Sequence, residues 1–355
     1  MYTVYCNGKI LHGTHLQTLR IHDDKLDLEL GKTGLFEFTI YPDHPYYDLL
    51  EVMTSRISVH RENTVLFDGR VLKIEYGFHN EKRVSCEGAL AFLLDSIAGP
   101  TAYYGDNEDY FRQLLQQHNA QVGADKQILP GNFTLGYVYP FEVVTEEYSR
   151  TLDEINTRIM GPFGGYLQIR NEGGKMYLDA LSSDANISNM SGQAITYGQN
   201  LLDIKRETDG SQVFTAILPL GDEVDGARVT IGRVNNWKDY IEYAPAVAKY
   251  GLIHRVMVFD GITDPQVLYN TANSYIRNHY APVDMIEIGV ADLSGQNSAM
   301  DSFMPGQWVQ VYSKHHLAQY PSTHLVIKMT IHITDPARTK MYAGRLKPGI
   351  TDSIK

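Results

Sequence analysis

Leu35-Phe36-Glu37-Phe38-Thr39-Ile40 sets Phe36, Phe38 and Ile40 on one face of an extended chain, and Pro42-Asp43-His44-Pro45 then ends the run. A period of two is the pattern of a strand with one buried face, and the residue before a proline is steered away from helical backbone. The pattern recurs downstream. Arg56-Ile57-Ser58-Val59-His60-Arg61 alternates, Glu62-Asn63 offers a turn, and residues 65–76 continue as a long strand with a bulge expected at Asp68-Gly69. Residues 83–87 give another strand, and residues 89–94 a short helix. Short strands so closely spaced predict an antiparallel barrel or sandwich.

From about Gly99 the period changes. Tyr110, Phe111, Leu114, Leu115 and His118 recur at helical spacing over residues 108–119. Thr145 reads as the N-cap of a second helix, residues 146–160, stopped by Gly161-Pro162. Residues 165–170 and 175–179 form strands joined through Gly173-Gly174, a hairpin signal. Strand chemistry returns at residues 201–207, 213–218, 229–231 and 253–259. Asp264 then caps a helix with Pro265 at its first position, and strands follow at 285–290, 308–312 and 324–333. A polar tail is expected after Pro336. The fold class is therefore α+β, mainly antiparallel β, with two β blocks around inserted mixed material.

Composition narrows the function. With 43% hydrophobic and 21% charged residues over 355 positions, the chain has enough apolar side chains for two or three cores. The first residues, Met1-Tyr2-Thr3-Val4-Tyr5-Cys6, lack the basic and apolar regions of a signal peptide, and no window is apolar enough for a membrane helix. Only Cys6 and Cys86 carry thiols, which fits folding in a reducing cytosol. A net charge of −11 argues against gripping nucleic acid, since that affinity is mostly phosphate neutralisation by Lys and Arg.

Catalytic motifs are missing. Gly31-Lys32-Thr33 has the end of a phosphate loop, but Leu26 stands where the first glycine is needed and a strand comes next, so this is a turn. No His-Glu-x-x-His or Gly-x-Ser-x-Gly pattern occurs, and two isolated cysteines exclude a thiolate metal cage. His316 and His324 could oppose each other on a hairpin and hold a metal; the adjacent His315 would point to the other face, and solvated surface histidines are the simpler reading. Glu146-Glu147 read as carboxylates of a first helical turn, and Asp153-Glu154 do not share a helix face. The 24 tyrosines, among them Tyr46-Tyr47 and Tyr103-Tyr104, fit strand packing and subunit contacts better than a sugar-binding surface. No catalytic residue and no cofactor is expected.

Several segments together resemble the N-terminal module of siphophage and prophage tail-associated proteins, the prophage tail endopeptidase or tail-lysin family. They are the strand ending in Pro42, His44 and Pro45; Phe67-Asp68-Gly69-Arg70-Val71; Cys86-Glu87-Gly88 with the helix after it; Leu218-Pro219-Leu220-Gly221 with Asp225-Gly226; residues 246–251; and Asp264-Pro265. The resemblance implies a fold similar to the baseplate hub of contractile phages. Two β-barrel hub domains per subunit (residues 1–97, and 201–235 with 284–335) would make a trimer into a pseudo-sixfold ring. A mixed α+β domain (98–200) and a strand-helix insertion (236–283) would lie between them, with 336–355 as a C-terminal segment. Such a ring would sit at the virion tail tip, joining the tail tube or tape-measure protein and the distal ring protein to the tip while DNA passes through. A net-negative lining would then let DNA slide. Many relatives continue into a C-terminal peptidase, lysozyme or glycan-binding region; the resemblance places lytic activity there. A peptidoglycan hydrolase hidden in the mixed domain, or a host glycan-binding module around Tyr103 and Tyr104, are the alternatives.

Overall fold

A computed structural model describes residues 2–16, 18–62, 64–182, 189–290, 303–314 and 321–344. The chain divides into two compact units, and each is built from separated stretches.

The first unit holds residues Met1–Ala91, Asn186–Glu207 and Met285–Arg345. Its strands are β1 (Tyr2–Cys6), β2 (Lys9–Gly13), β3 (His22–Glu29), β4 (Leu35–Ile40), β5 (Arg56–Arg61), β6 (Thr64–Tyr76), β7 (Lys82–Gly88), β8 (Ile195–Thr196), β9 (Leu201–Asp209), β10 (Val283–Val290), β11 (Trp308–Tyr312), β12 (Ser322–Ile331) and β13 (Lys340–Gly344). All belong to one 13-stranded sheet, in the order β9-β10-β13-β12-β3-β4-β7-β6-β5-β1-β2, with β11 on β12 and β8 on β11. The two β blocks, expected as separate barrels, are thus hydrogen-bonded to each other where β3 runs antiparallel to β12, Asp27 facing Thr330. Alternation says which face of a strand is buried; it does not say which edges meet. Both blocks feed one core, from Phe36, Phe38, Val59 and Val84 to Ile288, Val311, Met329 and Met341.

Two local readings change. β6 bulges between Val65 and Phe67 against β5 and between Val71 and Lys73 against β7, not at Asp68-Gly69. Gly69 is there for a different reason, the close approach of β7. The segment after Pro336 is not a tail throughout: β13 inserts between β10 and β12 and buries Met341 and Ala343. Asp24 helps tie this end down, its carboxylate accepting the amides of Ile333 and Thr334.

The second unit comprises chiefly Phe92–Ala185 and Thr208–Asp284. Helix α1 (Asn107–Gln121) packs on the strand Ile128–Phe133, which lies parallel to Lys175–Leu181. The hairpin at Gly173-Gly174 forms as read, both glycines taking positive φ. The second predicted helix begins later than Thr145. Thr145 Oγ1 does accept the Glu147 amide at 3.1 Å, but residues 149–150 pair with Ile97 and Ala98, and helix starts only at Thr151. Glu146-Glu147 therefore sit in a bend, not in a first helical turn. The strand expected at 229–231 is displaced to the pair Ala227–Arg228.

Helix α2 (Pro265–His279) covers the sheet of Ile241–Glu242, Ala216–Leu220 and His254–Val258, burying Val267, Leu268, Ala272 and Ile276 with Phe214 and Ile217. Its cap forms as the sequence indicates: Asp264 Oδ1 accepts from Gln266 at 2.7 Å and Val267 at 3.0 Å. Asp264→Ala is expected to cost about 1 kcal/mol, read as a lower urea midpoint at unchanged slope.

Candidate functional site

One buried cluster has the order of a nucleophile and its base. His118 Nε2 donates to the Lys126 carbonyl at 3.1 Å, which leaves Nδ1 to accept from the Ser96 hydroxyl at 2.7 Å. The Thr151 hydroxyl, 2.7 Å from Ser96 Oγ, then donates to it. Burial holds the His118 pKa below its ordinary value, so the ring stays neutral, as a base should. Access decides against chemistry: Ser96, His118 and Thr151 are at most 1% exposed. These bonds pin α1 to the Ser96 and Thr151 segments. Ser96 and His118 lie 22 residues apart without a motif, so the sequence carries no signal for the pair.

A second buried cluster centres on Glu154. Its carboxylate accepts from Tyr110 Oη and Ser149 Oγ, each at 2.9 Å, and from Arg158 Nε at 3.3 Å. Burial and the adjacent carboxylate push the Tyr110 hydroxyl well above its ordinary range, so it is a donor and not a proton source. Arg158 sits in a π-helical stretch, Ile155–Met160. A second carboxylate, Glu142, accepts the amides of Thr263 at 3.0 Å and Asp264 at 3.2 Å, anchoring the start of α2.

The residues singled out in the sequence occupy joints of the fold. His44 is buried, donating from Nε2 to the Leu11 carbonyl at 2.9 Å and accepting from the Tyr46 amide at 3.1 Å; Pro42 and Pro45 bracket its turn. Asp68 holds Arg56 through two hydrogen bonds, 2.8 and 2.7 Å. Beside it, Glu87 holds Arg70 at 2.7 Å in a pair whose side chains are 7% and 14% exposed. Gly69 and Gly88 let neighbouring backbone pass where a Cβ would collide. Cys86, like Cys6, is a buried free thiol. Asp225 and Gly226 both take positive φ and close the two-residue hairpin between Glu223–Val224 and Ala227–Arg228. Asp264 and Pro265 start α2. The structure places these positions in turns, helix starts, ion pairs and close strand contacts, with Asp68, Gly69, Glu87 and Gly88 neighbours on β6 and β7.

Of the weak metal candidates, His316, with its neighbour His315, lies outside the described residues, and His324 Nε2 is 2.8 Å from Ser322 Oγ. Among the described residues no group of three His, Cys, Asp or Glu side chains is placed to hold a metal ion.

Known proteins share this fold. Residues 189–341 match the family described as prophage endopeptidase tail. No curated protein matches the chain. Among solved structures, the tail protein from Neisseria meningitidis superposes with a TM-score of 0.64 at 14% identity, over 97% of this chain and 96% of that one. The 43 kDa tail protein of prophage MuSo2 from Shewanella oneidensis gives 0.62 at 13% identity, over 98% of both. The chain has a phage tail protein fold. A component of the Escherichia coli type VI secretion system, itself described as similar to bacteriophage T4 tail proteins, shares it at 0.50 and 10% identity, over 96% of this chain and 75% of that one. These matches agree with the resemblance read from Pro42 to Pro265.

Several large apolar side chains are exposed. Phe78 stands 94% exposed at the tip of the β6–β7 hairpin, edge-to-face with His79, and Lys82 at the start of β7 lies over the Tyr47 ring. In the second unit Val256 and Val258 lie exposed on an edge strand, and Tyr104 and Tyr139 form an edge-to-face pair at 6.2 Å, both outward. Tyr103 turns inward, packing on Tyr110, so the two tyrosines weighed as a sugar platform face opposite ways. Among the described residues no helix is long and apolar enough to cross a membrane.

Proposed function

We propose that this chain is a structural subunit of a phage or prophage tail tip, forming the hub ring of a baseplate and not acting as an enzyme. Three copies would close the ring, with two barrel-like modules per copy (residues 1–97, and 201–235 with 284–335) that draw strands from the 13-stranded sheet. The mixed segments 98–200 and 236–283 come between them in the chain. The ring joins the tail tube, or its tape-measure and distal ring proteins, to the tip, and DNA passes through without specific binding. The observation that carries this reading is likeness over the whole chain: at least 96% of both chains superposes on tail proteins from two bacteria.

Chemistry supports it from the other side. The buried Ser96–His118 and Tyr110–Glu154 clusters are sealed from substrate, while Phe78 and Val256 present apolar area of the kind buried at subunit contacts. Lytic activity, where relatives have it, belongs in this reading to a different region.

Light scattering over a concentration range tests the ring. A mass near three times the 40.1 kDa subunit is expected, alone or with the distal tail ring protein. A monomer under both conditions overturns the reading. The acidic balance adds a second expectation, no retardation of duplex DNA at low salt.

A further inference from the structure

His12, His22 and His44 gather at one end of the first unit, where β2 ends the 13-stranded sheet with β1 as its neighbour in the strand order. His12 and His44 are buried. His12 Nδ1 accepts the Ile21 amide at 3.3 Å, and His44 Nδ1 accepts the Tyr46 amide at 3.1 Å. His44 Nε2 donates to the Leu11 carbonyl at 2.9 Å. Both imidazoles therefore carry their single proton on Nε2, and a second proton has to enter at Nδ1. That places N–H against N–H, turning each accepted hydrogen bond into a repulsion. The two rings tie β2 to residue 21 on one side and to the turn at residues 41–46 on the other, beside a backbone hydrogen bond from the Gly13 amide to the Leu19 carbonyl at 3.3 Å.

The surroundings do not supply a partner strong enough to keep imidazolium in place. His12 is faced by Asp24, which favours the charge, and by Arg20, His22 and His44, which oppose it. His44 is faced by Asp43, which favours the charge, and by His22, which opposes it. Asp24 is already engaged by the amides of Ile333 and Thr334. Burial is the largest influence on both rings and disfavours the charge.

We propose that mild acid opens this corner of the sheet: protons taken up by His12 and His44 release β2 and the turn at residues 41–46, uncovering the edge of β1. The release is local because β2 is held from one side in the sheet, whereas the buried His118 and His279 lie within helices of the other unit. The sign comes from linkage. Both rings titrate below the ordinary 6.5 in the closed form, so closure is fully favoured above that pH. Below it, each ring raises the opening equilibrium by up to about tenfold per pH unit, until the closed form also protonates.

Hydrogen exchange of the intact chain, corrected for the intrinsic pH dependence of exchange, tests this at pH 7.5 and 5.5. Peptides covering residues 9–13 and 41–46 are expected to lose at least about tenfold in protection at the lower pH. Peptides covering β4 and β7 keep theirs. His12→Asn with His44→Asn, whose side-chain oxygens stand where Nδ1 stood and can accept the same amides without titrating, is expected to abolish the pH dependence. Unchanged protection of the two segments in the wild type overturns the proposal, as does an equal loss across the whole β block. Should the double variant not fold, the contrast between segments in the wild type decides alone.

Discussion

Gly69→Ala is expected to destabilise the first unit by about 3 kcal/mol or more, the upper end for overpacking. A Cβ at this position would lie 2.0 Å from the Glu87 carbonyl oxygen and 2.8 Å from Gly88 Cα. Both obstacles are backbone of β7, so no rotamer change relieves them. The strands must separate where Ile57, Val71 and Cys86 are fully buried, or the new methyl group must overlap. Thermal unfolding should show it as a loss of roughly 6–12 °C, at 2–4 °C per kcal/mol for a unit of this size. A loss under about 2 °C would mean that β7 moves freely, and the close approach would not be what fixes glycine here.

The second large effect concerns the charged pair beside that contact. Glu87→Gln is expected to cost about 3–5 kcal/mol, because it strands the buried Arg70 guanidinium without its carboxylate. Restoring a matched apolar pair, Arg70→Met with Glu87→Leu, should recover most of the loss. The neighbouring Asp68→Asn gives the contrast. Arg56 is 32% exposed in that pair, and solvent screening limits the expected cost to about 1 kcal/mol. Urea unfolding of these variants beside the wild type separates charge burial from charge pairing; equal losses for Glu87→Gln and Asp68→Asn would defeat the argument.

Much of the local structure is legible in the residues. The alternation at residues 35–40, the glycine pair at 173–174 and the Asp264-Pro265 start of α2 are all decided by neighbours in sequence, and all three form as read. Thr145 misleads because a short turn and a helix cap use the same hydroxyl-to-amide hydrogen bond. The backbone just beyond it is fixed by the pairing of Arg150 with Ile97, which no local pattern encodes. The strand β13 is hidden for a related reason. Lys340-Met341-Tyr342-Ala343-Gly344 has weak strand chemistry in Ala343 and Gly344, and its place comes from the slot between β10 and β12. As for function, Ser96 and His118 meet only in three dimensions, and their burial, invisible in sequence, is what removes them from consideration as a catalytic pair.

The seam between β3 and β12 bears on how the molecule is made. Asp27 meets Thr330 across a separation of 303 residues. A ribosome delivers the chain in one direction, so β3 emerges first and must wait for its partner while the residues between them are made. During that interval Leu26 and Leu28 border an unfilled ladder, a template for mispairing with another nascent chain. The intervening unit can fold meanwhile from nearer contacts, such as Ile128–Phe133 with Lys175–Leu181. Closure of the seam is then the late, slow event, and overproduction in bacteria should be limited by aggregation before it and not by instability after it.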